Sequence, residues 1–204
     1  MKTVFATANR GKLREAAEIL GPGFEVLSPS ELGISEEPEE NGASLRENSL
    51  IKARFFQERT GLDCFADDTG LEVDALGGAP GIYSARYAGE AHDSEANMSK
   101  LLAELEKCGG ADRKARFRTV VTMILNGEPH FFEGTLEGSI ALSRSGHGGF
   151  GYDPVFIPDA AELEAAGITE LDGRPTLAEL SEEQKNAVSH RGKAIRAMAA
   201  FLSR

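Results

Sequence analysis

Hydrophobic positions change their spacing several times along the chain, and each change marks an element. The run KTVFATA, residues 2–8, is rich in β-branched and aromatic side chains and predicts a first strand. Asn9-Arg10-Gly11 breaks it, and Leu13, Ala16, Ala17 and Leu20 then recur at helical spacing, predicting a helix over 12–20. Gly21-Pro22-Gly23 stops that helix, and a second short strand follows over 24–27. Residues 29–43 are acidic and turn-rich, which reads as an exposed loop. Ser44-Leu45-Arg46-Glu47 has the spacing of a capping box, opening a helix to about Arg59 with Gly61 just beyond. A short buried strand ends at Ala66. A helix follows over 93–107, with Met98, Leu101, Leu102 and Leu105 as its core face. Residues 115–125 read as a strong strand, and Asn126-Gly127 is a hairpin signal. Residues 131–142 supply one or two more strands, bent near Gly134 or Gly138. A glycine-rich loop, 146–151, leads to a strand over 155–157. The acidic segment 159–173 contains a short helix over 160–166. Residues 177–188 are helical or turn-like. A terminal helix over 190–202 turns Ile195, Met198, Ala199 and Leu202 to the core. Early strand–helix alternation followed by consecutive strands predicts an α/β or α+β chain with a mixed sheet.

Length and charge narrow the picture. At 204 residues the chain makes one domain or two small lobes with a real core. A net charge of −11 gives no general attraction for nucleic acid. A small polyanion would need local positive charge or a divalent cation to offset that field. Cys64 and Cys108 stand far apart and suggest neither a disulfide framework nor a zinc site. No apolar run approaches the roughly 20 residues of a membrane span, and MKTVFATANRGK lacks the apolar core of a signal peptide. The expectation is a soluble cytoplasmic protein with no membrane partner.

Candidate chemistry lies in five stretches. Thr7-Ala8-Asn9-Arg10-Gly11-Lys12 is a strand-to-helix turn, where backbone N–H groups and Lys12 could meet an anion. It is not a Walker A loop. Glu39 and Glu40, ahead of Asn48 and Lys52, read as a solvated acidic loop unless the fold brings one beside a further carboxylate. Asp67-Asp68-Thr69-Gly70 is good turn chemistry and equally part of a metal site, with one acid as ligand or base and the other as a supporting group. If the strand pattern persists, the two acids face opposite ways, one toward the site and one toward a supporting contact. The loop Gly146 to Asp153 allows close backbone approach, with Phe150 or Tyr152 able to stack on a base. Lys185, His190 and Arg191 cluster where the last helix starts, unfavourably for its dipole, as if serving a ligand. His92 and His130 read as surface residues.

TANRGK, ENGASLRENSLIKA, ADDTGLEVDALGGAPGIYSARYAG, GGFGYDPVF and AELSEEQKNAVSHRGKA, in this order over nearly the whole chain, resemble the inosine triphosphate pyrophosphatase family. The resemblance implies a mixed α/β fold, a twisted sheet with flanking helices and two lobes around a central nucleotide-binding cleft. It implies a single catalytic domain over 1–204, which typically forms a homodimer. It also implies a reaction: ITP, dITP or XTP plus water gives the monophosphate and pyrophosphate, cleansing the nucleotide pool. By the same resemblance, Glu40 and Asp68 bind Mg²⁺, and Asp68 is also the proton acceptor. Thr7, Ala8, Asn9, Arg10, Gly11 and Lys12 meet the triphosphate. Lys52, Thr69, Arg86, Lys185, His190 and Arg191 contact substrate, and Phe150, Gly151, Tyr152 and Asp153 contact the base. Asp67 is the supporting acid.

A carboxylate beside a cation titrates low, so Asp68 is expected to be the ionised acid that orients a polarised water. Selectivity is expected at the purine 6-position, where hypoxanthine and xanthine present an acceptor and adenine a donor. Two features depart from the family pattern. Thr69 stands where serine is commoner, and the segment between Ile157 and Thr176 is longer than expected, its extra residues 160–173 reading first as a plain surface helix, with a lid or an altered dimer contact as alternatives. Rival readings are a pyrophosphatase for another modified nucleotide and a non-catalytic nucleotide sensor.

Overall fold

The computed structural model describes residues 1–109, 112–169 and 173–203. The fold is mixed α/β. Its strands, among the described residues, are β1 (Lys2–Phe5), β2 (Glu25–Leu27), β3 (Cys64–Val73), β4 (Pro80–Gly81), β5 (Lys114–Leu125), β6 (Glu128–Ile140) and β7 (Phe156–Pro158). Its helices are α1 (Arg10–Leu20), α2 (Leu45–Thr60), α3 (Ser94–Lys107), α4 (Ala160–Ala165), α5 (Glu182–Val188) and α6 (His190–Leu202). The strands run in the order β2-β1-β3-β5-β6-β7, with β4 on β3. Pairs β1–β2 and β1–β3 are parallel, whereas β3–β4 and β6–β7 are antiparallel, so the sheet is mixed. The parallel pairs follow from the helices between them, since α1 and α2 each carry the chain back for another parallel strand.

Two compact units divide the chain. The first comprises residues 1–68, 119–134 and 191–204, the second 69–118 and 135–190. In the first, Phe5 and Phe65 stack with centroids 4.3 Å apart, beside Val121, Met123, Ile195 and Met198. Val4, Ala53, Phe56 and Cys64 form a further cluster. In the second, Met98, Leu101 and Leu105 of α3 bury against Leu71, Phe117 and Phe156.

Capping explains the helix starts. Ser44 accepts from the Glu47 N–H, as its spacing predicts, but the Glu47 carboxylate reaches Ala43 N–H rather than that of Ser44. Asn126 and Gly127 both adopt positive φ, 51° and 87°, the turn that Asn-Gly favours between twisted strands.

Several expectations change. The first strand stops at Phe5 rather than Ala8, and α1 begins at Arg10 because the Asn9 side chain caps it. The strand expected to end at Ala66 continues as β3 to Val73, through both acids. No turn forms there because Asp67 and Asp68 find side-chain cations, and Gly70 keeps a φ any residue could adopt. Of the one or two strands expected over 131–142, one forms, β6, and it starts earlier, at Glu128, and ends at Ile140. Over 160–169 of the segment 160–173, the expected surface helix forms as α4, largely exposed, but it is anchored: Leu163 is buried in the second unit's core and Ile168 packs against it. Positions 170–172 of that segment lie outside the described residues. His130 is not a bare surface residue; its ring lies 4.6 Å from that of Phe201.

Candidate active site

In the first unit, β3 delivers two adjacent acids into different partnerships. Asp67 is 2% exposed. Its carboxylate accepts from Lys12 Nζ at 2.8 Å and from Arg191 Nε at 3.0 Å. Arg191 also donates to Glu15 Oε2 at 3.3 Å. The Arg191 charge, misplaced for the α6 dipole, is thus matched by two carboxylates. Asp68 meets Lys52 Nζ at 3.1 Å, and the same ammonium donates to Glu40 Oε2 at 3.1 Å. The fold therefore brings Glu40 to the lysine that Asp68 uses, the condition under which it stops being a solvated loop acid. Glu39 stays exposed.

The charges follow from these contacts. Burial alone would raise the Asp67 carboxyl, but Lys12, Arg191 and Lys52 overcome it and hold it well below the usual carboxylate range. Burial pushes Asp68 upward, and Lys52 does not offset it because Glu40 and Asp67 lie close. The expectation that Asp68 titrates low is therefore reversed: the firmly ionised acid is Asp67. Burial would depress Lys52, yet Asp68, Asp67 and Glu40 raise it above its ordinary value. Lys12 falls below its ordinary value because burial and Arg191 outweigh Asp67.

A pocket of about 310 Å³ opens beside these groups within the first unit. Thr7, Ala8, Lys12, Glu40, Lys52 and Asp67 are among its lining residues. So are Ser30, Ile34 and Ser35, which makes the 29–43 loop a wall of the pocket. Sequence reading misses that role, because a polar turn-rich run carries no signal of what it faces. Asn9, which caps α1, and Arg10, its first residue, are both exposed. The N–H groups of Gly11 and Lys12 already donate to Asn9 Oδ1, at 2.8 and 3.1 Å. The helix start is therefore not an open anion cradle at those two positions.

The second unit holds the remaining candidates. Thr69 follows Asp68 on β3 and is half-buried. Arg86 lies in a turn with its guanidinium 5.4 Å from the Tyr83 ring centroid. Phe150 is 70% exposed. Tyr152 is buried and donates its hydroxyl to Ser84 O at 2.8 Å, so Phe150 is the ring of this loop open for stacking. The Asp153 carboxylate accepts from Phe150 N–H at 3.1 Å, which closes the turn. A Cβ on Gly149 would run into that carboxylate, and φ there is 78°, which together explain the glycine. Gly151 has φ 62°, the left-handed region that suits glycine. Lys185 pairs with Glu182 at 2.6 Å, and His190 stacks on Phe117 with centroids 5.0 Å apart.

Among the described residues, no group of three or more His, Cys, Asp or Glu side chains could hold a metal unaided. Glu40 and Asp68 nonetheless fit Mg²⁺. They are hard oxygen donors from separate segments, they already draw one cation between them, and Mg²⁺ takes one or two carboxylates with waters and phosphate oxygens.

In this mixed α/β chain, lysines that can meet a polyanion lie beside carboxylates that can meet a hard cation, next to one pocket. The sequence pattern of the Ham1 family matches residues 3–201, and the chain belongs to that family. It is 44% identical over 204 residues to the dITP/XTP pyrophosphatase of Christiangramia forsetii, covering 100% of both chains. It is 47% identical over 201 residues to the dITP/XTP pyrophosphatase of Porphyromonas gingivalis, covering 98% of this chain and 97% of that one. Among solved structures, the Staphylococcus aureus Ham1 protein superposes with a TM-score of 0.87 at 39% identity, covering 100% of this chain and 98% of that one. Among the described residues, no helix is long and apolar enough to cross a membrane.

Proposed function

We propose that this chain is a nucleoside triphosphate pyrophosphohydrolase that converts dITP, ITP and XTP to the monophosphate and pyrophosphate. The observation that carries the reading is the meeting of Glu40 and Asp68 on Lys52, at the pocket that Lys12 also lines. Full-length likeness to relatives named dITP/XTP pyrophosphatase supports the substrate class.

Lys12 and Lys52 offer charge to the triphosphate. Asp68, acting as proton acceptor, orients a water for attack on the α-phosphorus, and pyrophosphate leaves. Glu40 and Asp68 would hold Mg²⁺, which when bound supplies charge neutralisation to the phosphate oxygens. Asp67 anchors Lys12 and Arg191. Much of the stabilisation is electrostatic, because positioned cations meet charge that develops on the phosphoryl oxygens. Thr69, Arg86, Lys185 and His190 are further substrate contacts. Phe150 offers its exposed ring to the base, next to Gly151, Tyr152 and Asp153. The whole chain acts as one domain, in a cytoplasmic homodimer that clears deaminated purines before polymerases use them.

A nucleotide panel tests this reading. With Mg²⁺, dITP, ITP and XTP should yield monophosphate and pyrophosphate, while ATP and GTP remain nearly untouched. EDTA should stop turnover, and added Mg²⁺ should restore it. Comparable turnover of ATP or GTP would overturn the substrate class. Binding of ITP without turnover of any nucleotide would favour the sensor reading.

A further inference from the structure

Arg86 sits in a short turn whose backbone is gripped from α3. Asn97 is 4% exposed and lies outside the motifs that carry the family resemblance. Its Oδ1 accepts from Ala88 N–H at 2.6 Å. Its Nδ2 donates to Ala85 O at 3.0 Å and Ser84 O at 3.5 Å. One buried amide therefore holds the backbone on both sides of Arg86. These partners also set its orientation: a flipped amide would press an NH₂ against the Ala88 N–H and an oxygen against two carbonyls.

The grip extends further within the second unit. Ser84 O also accepts the Tyr152 hydroxyl at 2.8 Å. Ser84 Oγ accepts from Leu71 N–H at 2.8 Å and donates to Gly81 O at 2.6 Å. Lys100, one helical turn beyond Asn97, donates to Tyr87 O at 2.6 Å. The turn that presents Arg86 and the segment that carries Tyr152 thus share one carbonyl, which Asn97 helps to fix. Tyr87 anchors this turn on the second unit's core, and these hydrogen bonds fix the backbone that leads from it to Arg86.

We propose that Asn97 is a positioning residue, acting through the backbone of Ser84, Ala85 and Ala88 to fix Arg86 for the nucleotide. The inference rests on the reading of Arg86 as a substrate contact. A positioning role makes residues 97 and 86 energetically coupled, whereas a merely structural role leaves their effects additive.

The test is a double-mutant cycle on the full chain, with kcat and KM measured for dITP. Asn97→Ala should raise KM at least about fivefold while kcat changes by less than about twofold, the mark of lost substrate binding. Asn97→Asp keeps the volume and the acceptor for Ala88 but sets an oxygen against two carbonyls, and it should raise KM similarly. In an Arg86→Ala background the substitution at 97 should have no further effect on KM. An unchanged KM in the single variants, or the same KM increase in both backgrounds, would overturn the proposal. If Asn97→Ala does not fold, Asn97→Asp carries the same cycle. Absence of turnover by the unsubstituted chain would reject the proposed function itself, whereas turnover with an unchanged KM rejects only the role of Asn97.

Discussion

Asp68→Asn is expected to lower kcat by about a thousandfold or more and to leave the protein folded. The amide keeps the shape of the carboxylate but has lost its charge, so it does not act as a proton acceptor and holds a hard cation more weakly. Loss of one positioned acid–base or electrostatic group costs about 10²–10⁴ in rate. Stability should hardly change. Burial, with Glu40 and Asp67 nearby, disfavours the charged form of Asp68, so a neutral amide removes a strained charge. Lys52 keeps Glu40 as a partner at 3.1 Å. The melting temperature should stay within about 4 °C, the equivalent of about 1 kcal/mol in a chain of this size. Steady-state kinetics and a thermal melt check both halves. A variant that keeps a tenth of the parent activity would mean that Asp68 is not the reacting acid.

The neighbouring residue should behave in the opposite way. Asp67→Ala strands Lys12 and Arg191, two largely buried cations that share its carboxylate at 2.8 and 3.0 Å. Breaking a buried pair from one side costs about 3–5 kcal/mol, because the remaining charge is left uncompensated. In a chain of this length the melting temperature should fall by roughly 6–20 °C. Activity measured well below the melt should fall through KM, since Lys12 lines the pocket and loses its anchor. The two variants should therefore divide the pair: Asp68→Asn loses turnover and keeps its melt, whereas Asp67→Ala keeps turnover at saturating substrate and loses melting temperature, read by kinetics and calorimetry. A fall of less than 3 °C for Asp67→Ala would contradict that division.

That division is half legible in the sequence. Alternation along a strand sends neighbouring side chains to opposite faces, so two adjacent acids should have different partners. The partners themselves are not legible. Lys12 lies 55 residues from Asp67 and Arg191 lies 124 residues away, and nothing local links them. For the same reason the residues alone predict β3 too short. Asp-Asp-Thr-Gly is turn chemistry until distant cations satisfy the acids, and then the ladder simply continues.

Helix caps are readable because they are local, as with Ser44 and the glycine at 61, which takes φ 66°. Glu40 is ambiguous for a physical reason. A loop acid is solvated or functional according to what the fold sets beside it, here Lys52. Tyr152 shows the converse. An aromatic in a glycine-rich loop suggests stacking, but its hydroxyl finds Ser84 O and its ring joins the core. Leu163 is hidden by composition, one buried leucine in a run dominated by Glu and Ala.

The bond that breaks is the core of the chemical proposal, and water labelled with oxygen-18 reads it directly. Turnover of dITP in labelled water should place one heavy oxygen in the phosphate of dIMP and none in pyrophosphate, as attack at the α-phosphorus requires. Label in pyrophosphate, or release of labelled orthophosphate, would place the attack elsewhere and contradict the roles of Asp68, Glu40 and Lys12 in the hydrolysis.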